Sequence, residues 1–405
     1  MDQANKNVGL LCATQALLFT NNTILISING LAGYALAADK SLATLPVTAY
    51  VIGAAMTTLP VSHLMRRVGR VNGFSLGTLI GILGAMLCGY SVYIHSFWSL
   101  CLGTLVMGIY NASGQYYRFA AADVASPDFK SKAISLVLAG GLVGGVLGPQ
   151  TSKFTKDLLP AEFLGSYLVL IGFCVVALML QRLMHIPRLT GAERKEHGRP
   201  LAAIARQPAF IVAVMSGMVG YGVMNLLMTS TPLAMKAWSH PFSDTAFVIQ
   251  WHVIAMFAPS FFTGSLIRRF GVRAILFTGV LLNLGCAVIA LSGVEVMHFW
   301  GALVLVGIGW NFMYLGGTTL LTETYSPAEK AKVQGANDMA IFMTMAVSSA
   351  SSGWLFTARG WAVMNYGSIP FLVLTGIAIL FFGRRRPLAA APLAGSDAAV
   401  TEDLR

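Results

Sequence analysis

Charge is what this chain has least of: only 11% of its 405 residues are Asp, Glu, Lys or Arg, against about 25% in an ordinary soluble domain. That deficit excludes a soluble enzyme. The five cysteines, Cys12, Cys88, Cys101, Cys174 and Cys286, form no CxxC pair and all lie in apolar stretches, which excludes a disulfide framework and a zinc knuckle. No HExxH helix, GxSxG nucleophile elbow or pair of intramembrane carboxylates is present, so a membrane enzyme is excluded as well. A sensor or assembly partner is disfavoured because the apolar runs leave no room for a soluble output domain.

What the chain has in abundance is apolar surface, with 56% hydrophobic residues and a mean hydropathy of +0.70. A membrane helix needs about 20 mostly apolar residues. Twelve such runs are found, near 8–31, 42–65, 72–95, 97–122, 132–156, 163–186, 208–232, 244–267, 272–296, 299–324, 332–356 and 360–383. The expected fold is all-α and integral to the membrane. The first run reads as a span and not a leader, since Asp2 balances its one lysine and Asn21 and Asn22 interrupt it.

The net charge of +11 does not indicate nucleic acid, because the basic residues sit in alternate connectors: Arg66, Arg67 and Arg70; Lys130 and Lys132; 182–206; Arg268, Arg269 and Arg273; Lys330 and Lys332; Arg384 to Arg386. By the positive-inside rule those connectors and both termini face the cytoplasm, so a multi-pass protein of a bacterial inner membrane is expected. The connector 187–207 divides the chain into bundles 1–186 and 208–386, and the Ala-rich tail 387–405 is expected to be disordered.

The halves also look alike. "SHLMRRVGR" (62–70) matches "GSLIRRFGVR" (264–273) at an offset of 202, and "ASPDFKSKAISL" (125–136) matches "YSPAEKAKVQGA" (325–336) at an offset of 200. Two matches at nearly one offset indicate a duplicated six-helix unit. On these features the chain resembles the major facilitator superfamily, whose substrate site lies at the midplane between parallel repeats. The family's signature loop, roughly G-x-L-x-D-R-x-G-R-K, is met by Arg67, Gly69 and Arg70, and in the second copy by Gly264, Leu266, Arg269 and Gly271. Arg66 and Arg268 stand where the acidic residue belongs, a departure that bears on the family's cytoplasmic charge latch and not on its fold. "GGLVGGVLGP" (140–149) resembles the glycine-rich fifth helix, which permits close helix approach.

Charges within spans are few. Arg118 and Asp123 fall near the end of span four, Glu323 at the end of span ten and Asp338 early in span eleven. Charges in hydrocarbon persist for function, and these are read as gating or interfacial pairs, with proton coupling through Asp123, Glu323 or Asp338 as the alternative. Asp338 and Glu323 are expected to affect turnover more than recognition.

Span seven carries Met224 and Met228, and span eight carries His252 and Met256, each pair at i,i+4 and so on one helical face. Thioether and imidazole suit Cu(I), although methionine also fills irregular cores without any ligand. These paired motifs resemble those of the CcoA-type bacterial copper importers, which supply haem-copper oxidase assembly. The resemblance implies copper as transported cargo, Met224, Met228, His252 and Met256 as its ligands, no permanently bound cofactor, and a cytoplasmic copper chaperone as partner. The family's relatives resemble riboflavin importers, so the alternative cargo is riboflavin or another small organic solute. For that cargo, Tyr34, Tyr116, Tyr117, Gln15, Asn21, Asn22, Trp310, Asn311 and Tyr314 supply stacking and hydrogen bonds.

Overall fold

A computed structural model describes residues 3–39, 42, 45–187 and 198–382. The part of the connector from 188 to 197, Arg384 to Arg386 and the 387–405 tail lie outside the described residues. With no water to satisfy backbone groups in a bilayer core, an apolar chain closes its hydrogen bonds within helices, and the described residues are helical throughout, with short connectors. Spans one to three are Gln3–Leu36, Leu45–Val68 and Arg70–Tyr93. Span four is Phe97–Gly114 continued by Tyr117–Val124, and spans five and six are Lys130–Thr155 and Leu164–Arg182. After a short helix, Leu201–Ala205, span seven is Pro208–Ala237 and span eight is Phe242–Phe257 continued by Ser260–Phe270. Spans nine and ten are Val272–Ser292 and Val296–Leu321, and Lys330–Phe382 holds spans eleven and twelve.

Nine helices among the described residues are individually long and apolar enough to cross a membrane, with mean hydropathies of 1.3–2.3 over their best stretches. The twelve expected spans emerge once three interruptions are recognised. Span eight bends by 42° between its two pieces, where Pro259 has no N–H to continue the ladder. Span four tightens to an i→i+3 bond at Tyr116, whose N–H reaches the Ser113 carbonyl at 3.3 Å, and then resumes. Spans eleven and twelve run as one helix of 53 residues except at Gly360, whose φ of 77° is open to glycine without a Cβ penalty.

The repeat is written in the backbone. Gly69 (φ 88°, ψ 162°) and Gly271 (φ 85°, ψ 151°) hold the same positive-φ turn, and each caps its helix by donating to the residue four back, Met65 at 2.9 Å and Ile267 at 2.8 Å. Span five splits its glycines between two faces. Methyl groups on Gly140, Gly144 or Gly148 would come under 3.0 Å from span one, and on Gly141 or Gly145 under 3.0 Å from Phe257 and Val253 of span eight. The close approach expected of "GGLVGGVLGP" therefore serves two neighbours, one within the first half and one across to the second.

Across the halves, two matched contacts close the end of the bundle that bears the basic loops. In one, Ser62 of span two donates to the Ala331 carbonyl at 2.6 Å and lies beside Gly335 of span eleven. In the other, Gly264 of span eight lies against the Ser131 carbonyl and its N–H donates to Ser135 Oγ of span five at 3.1 Å. Because Ser62 matches Gly264 and Ser135 matches Gly335 in the repeat, serine and glycine have exchanged places. The combined size is kept, and with it the closeness of two helix pairs.

Candidate functional site

Above that closed end, spans four, seven, ten and eleven meet around a small cleft lined by Gln115, Tyr221, Tyr314, Asp338, Ile341, Phe342 and Met345. At about 1.5 Å rise per residue, Asp338 stands roughly 12 Å into span eleven from Lys330, and Tyr314 roughly 10 Å from the end of span ten. Both residues therefore lie about two turns inside their spans and not at the ends that bear the basic loops.

The C-terminal half contributes rings. Trp310 and Tyr314, at i,i+4 on span ten, stack with centroids 5.1 Å apart and planes 18° from parallel. Tyr221 of span seven meets both edge-on, at 5.1 Å from Trp310 and 5.0 Å from Tyr314. Phe257 adds an edge contact to Trp310 at 5.6 Å, and Phe19 to Phe257 at 4.9 Å.

The N-terminal half contributes amides and one cation. Tyr50 donates to Asn22 Oδ1, Asn22 to Asn111 Oδ1 at 3.0 Å, and Gln115 Nε2 to the same oxygen at 3.2 Å. Arg118 Nη1 then donates to the Gln115 carbonyl and Oε1, both at 3.1 Å. Its Nη2 crosses to Asp338 Oδ1 in an ion pair whose members are each only 2% exposed. Asn337 also donates to Asp338 Oδ1, at 2.8 Å. The Arg118 guanidinium lies 4.7 Å from the Tyr314 ring and 4.5 Å from Phe119. The break in span four permits this: the tightened turn at Gln115 and Tyr116 sets Gln115 and Arg118 on one network.

Three buried atoms at this junction have no hydrogen-bond partner among the described residues: Arg118 Nε, Asp338 Oδ2 and Trp310 Nε1. A bare buried polar atom costs about 1–3 kcal/mol; of the three, Asp338 Oδ2 belongs to a residue of the cleft wall, and Arg118 Nε and Trp310 Nε1 lie behind it on residues bonded or stacked to that wall.

The residues singled out from the sequence divide unevenly. Arg118 and Asp338 form the cross-half pair, and Asp338 lines the cleft instead of standing at a helix end. Asp123 accepts from Arg70 at 3.2 Å and Lys330 at 3.0 Å, while Arg70 also donates to Gln334 of the second half at 2.7 Å. A charge latch thus survives the loss of the acid at position 66. Glu323, Arg67 and Arg269 are exposed, with Arg269 over Phe270.

Of the stacking and hydrogen-bonding set, Trp310 and Tyr314 are in the site and Asn22 joins its network. Tyr34 is 57% exposed and Gln15 is buried in span one, while Asn21 reaches Cys174 Sγ at 3.3 Å. Tyr116 donates to the Thr58 carbonyl and Tyr117 accepts from Gln181, both at 2.9 Å. Asn311 braces the break in span eight, donating to the Met256 carbonyl at 2.7 Å and Ser260 Oγ at 2.6 Å. Tyr221 and Gln115 were not anticipated; the one signal for Gln115 is its place in "SGQYYR", three residues before the intramembrane arginine.

Of the methionine and histidine pairs, the backbone of the second is engaged by span ten, while His252 Nε2 is buried without a partner among the described residues. His252 is fully buried with Nδ1 at 2.8 Å from the Leu303 carbonyl of span ten. Beside it, Gly307 lets the two helices approach until a Cβ there would stand 3.0 Å from the His252 carbonyl and 3.1 Å from the Met256 nitrogen. The His252–Met256 segment is therefore packed backbone to backbone against span ten. Met224 is buried and Met228 half-buried, on the span-seven face that also carries Tyr221.

Twelve spans in two matched bundles, with a polar and aromatic cleft between them inside the bundle, define a membrane transporter and not an enzyme. The chain belongs to the Major Facilitator Superfamily, whose model matches residues 11–258 and 224–402. It is 42% identical over 391 residues to the riboflavin transporter RfnT of Brucella anthropi, covering 96% of this chain and 98% of that one. It is 28% identical over 378 residues to the MFS-type transporter YddS of Bacillus subtilis, covering 89% and 87%. Among solved structures, its fold is similar to the human organic anion transporter MFSD10 (TM-score 0.76, 13% identity, 94% of this chain and 100% of that one). It is also similar to FucP in the outward conformation (TM-score 0.71, 16% identity, 93% and 98%).

These relatives correct the expectation of copper import. The near full-length relative at 42% identity is a riboflavin transporter, and the four residues expected as copper ligands include a segment committed to helix packing. Copper cargo, its chaperone and a role in oxidase assembly are without support.

Proposed function

We propose that this protein imports riboflavin, or a closely related flat heteroaromatic solute, across a bacterial inner membrane by alternating access. The observation that carries the reading is the cleft itself, which is lined by the rings of Tyr221 and Tyr314, backed by Trp310, and by the polar groups of Gln115 and Asp338, backed by Arg118. A planar ring system with a polar rim needs those two walls, an apolar stacking face and a few placed hydrogen-bonding groups. The similarity to a riboflavin transporter supports the same cargo.

In this reading the halves, 1–186 and 208–386 joined by 187–207, rock about the cleft. The Asp123 latch and the two serine–glycine contacts hold the basic end shut, and breaking them releases cargo to the cytoplasm. The basic loops and both termini face that side. Asp123 acts in gating, whereas Asp338 belongs to recognition.

The test is uptake of radiolabelled riboflavin by cells that cannot make it, with and without this gene. Growth on micromolar riboflavin and saturable uptake are expected. Uptake no greater than in cells lacking the gene would overturn the reading.

A further inference from the structure

The hydrogen-bonding capacity left over on the Arg118–Asp338 pair, at and behind the cleft wall, specifies which edge of the cargo is read. Asp338 Oδ1 already accepts from Arg118 and Asn337, while Oδ2 accepts from nothing among the described residues. An ionised carboxylate is acceptor-only, so Oδ2 calls for an N–H. Arg118 spends Nη1 on Gln115 and Nη2 on Asp338, and its Nε donates to nothing described. A guanidinium is donor-only, so Nε calls for a carbonyl. One bare donor and one bare acceptor thus sit on two side chains that are held together by their own ion pair, both 2% exposed, and Asp338 forms part of the cleft wall.

Resting on the riboflavin reading, we propose that the Arg118–Asp338 pair recognises the pyrimidinedione edge of the ring, where an imide N–H lies beside a carbonyl. Asp338 Oδ2 accepts from the imide N–H, Arg118 Nε donates to the adjacent carbonyl, and the rest of the tricycle lies against Tyr221 and Tyr314. Such recognition rejects ring systems lacking the imide proton, because the carboxylate oxygen would then be buried without a partner. Unmet polar groups discriminate more strongly than missing apolar contacts. The pair is also shared between the halves, so the cargo edge bonds to both at once. The inference makes Arg118 and Asp338 specificity residues as well as bridge residues.

The experiment is equilibrium binding to the detergent-purified protein, read by quenching of flavin fluorescence, with riboflavin and its N3-methyl derivative as the two probes. Methylation removes the imide proton and keeps the ring, the carbonyls and the ribityl chain. The unmodified protein should bind the methyl derivative about 10- to 100-fold more weakly, the range for a hydrogen bond to a charged group. Asp338→Asn should weaken riboflavin binding and bring the ratio between the two probes toward one, with Tyr221→Phe as a cleft variant that keeps the ratio. Equal affinity of the unmodified protein for both probes overturns the inference while leaving riboflavin as cargo. A preserved ratio in Asp338→Asn likewise overturns it. Absence of riboflavin binding and uptake alike brings down the cargo reading and this inference together.

Discussion

The two halves agree where they touch and differ where they would touch a cargo. At the basic end, Ser62 against Gly335 is answered by Ser135 against Gly264, and Gly69 is answered by Gly271 with nearly the same dihedral angles. At the cleft the correspondence weakens: the first half presents Asn22, Asn111, Gln115 and Arg118, and the second presents Tyr221, Trp310 and Tyr314 together with Asp338. The duplicated frame carries the rocking contacts, which must match for both bundles to pack closely. The cleft is where the copies were free to diverge, the first half into amides and a guanidinium, the second into rings and the one carboxylate, Asp338.

The largest effect should come from cutting the one strong tie between the unlike walls. Arg118→Ala leaves Asp338 as an uncompensated buried charge, and breaking such a pair from one side costs about 3–5 kcal/mol. Riboflavin uptake should fall to background and the amount of protein in the membrane should drop. Arg118→Ala combined with Asp338→Ala should restore the amount, because no lone charge remains, without restoring uptake. Immunoblots of membrane fractions beside uptake rates separate the two quantities. Normal uptake in the double variant would show that the polar wall is dispensable.

The aromatic wall should be less costly to damage. Trp310→Leu keeps an apolar side chain but removes the stack on Tyr314 and the edge contacts to Tyr221 and Phe257. Aromatic pairs are worth about 0.5–1.5 kcal/mol beyond their buried area, so the apparent affinity for riboflavin should weaken by up to about tenfold while the maximal rate changes little. A fall in rate with unchanged affinity would move Trp310 from recognition to the moving frame.

How far the sequence could be read follows the same division. The twelve spans, the duplicated loops and the glycine-rich fifth helix were legible because hydropathy and spacing are one-dimensional signals that a bilayer enforces. The breaks at Gln115–Tyr116 and at Pro259 were not, since a span of constant hydropathy conceals a two-residue interruption. Arg118 and Asp338 were visible as rare charges, but their meeting was not, because they lie 220 residues apart. The methionine and histidine pairs misled for a physical reason. An i,i+4 spacing states that two side chains share a face and is silent about what that face meets; here Gly307 brings span ten against His252 and Met256.

A smaller difference between the copies lies at the repeat's second loop, where Phe129 of the first half matches Glu329 of the second. Phe129 packs against the core, whereas Glu329, 2% exposed, accepts from Arg199 Nη2 at 2.7 Å and Nε at 2.8 Å and from the Ser326 N–H at 3.0 Å. The Arg199 hydrogen bonds hold its carboxyl at about 2, down from 4.5. A depressed carboxylate adds stability above its unfolded pKa and loses it as pH falls through the folded one. The purified protein should therefore lose thermal stability between about pH 4.5 and about pH 2. Glu329→Gln should be less stable at neutral pH and flatter across that window. An unchanged acid slope in Glu329→Gln would place the loss on other carboxylates.

The smallest effect belongs to the methionines of span seven. Met224 is buried and shares a helical face with Tyr221, yet its thioether is one apolar group among many in the core. Met224→Leu preserves volume and hydrophobicity, and swaps of that kind cost under about 1.5 kcal/mol. Sulfur offers only modest extra attraction to neighbouring rings, about 0.3–1.5 kcal/mol, so riboflavin affinity should shift by less than the loss in Trp310→Leu. Protein levels, affinity and maximal rate should all stay close to the unmodified protein. A loss of uptake in Met224→Leu as deep as in Arg118→Ala, at normal protein level, would mean that the sulfur itself has a task. The division into a polar and an aromatic wall would then have to admit a third kind of group on span seven.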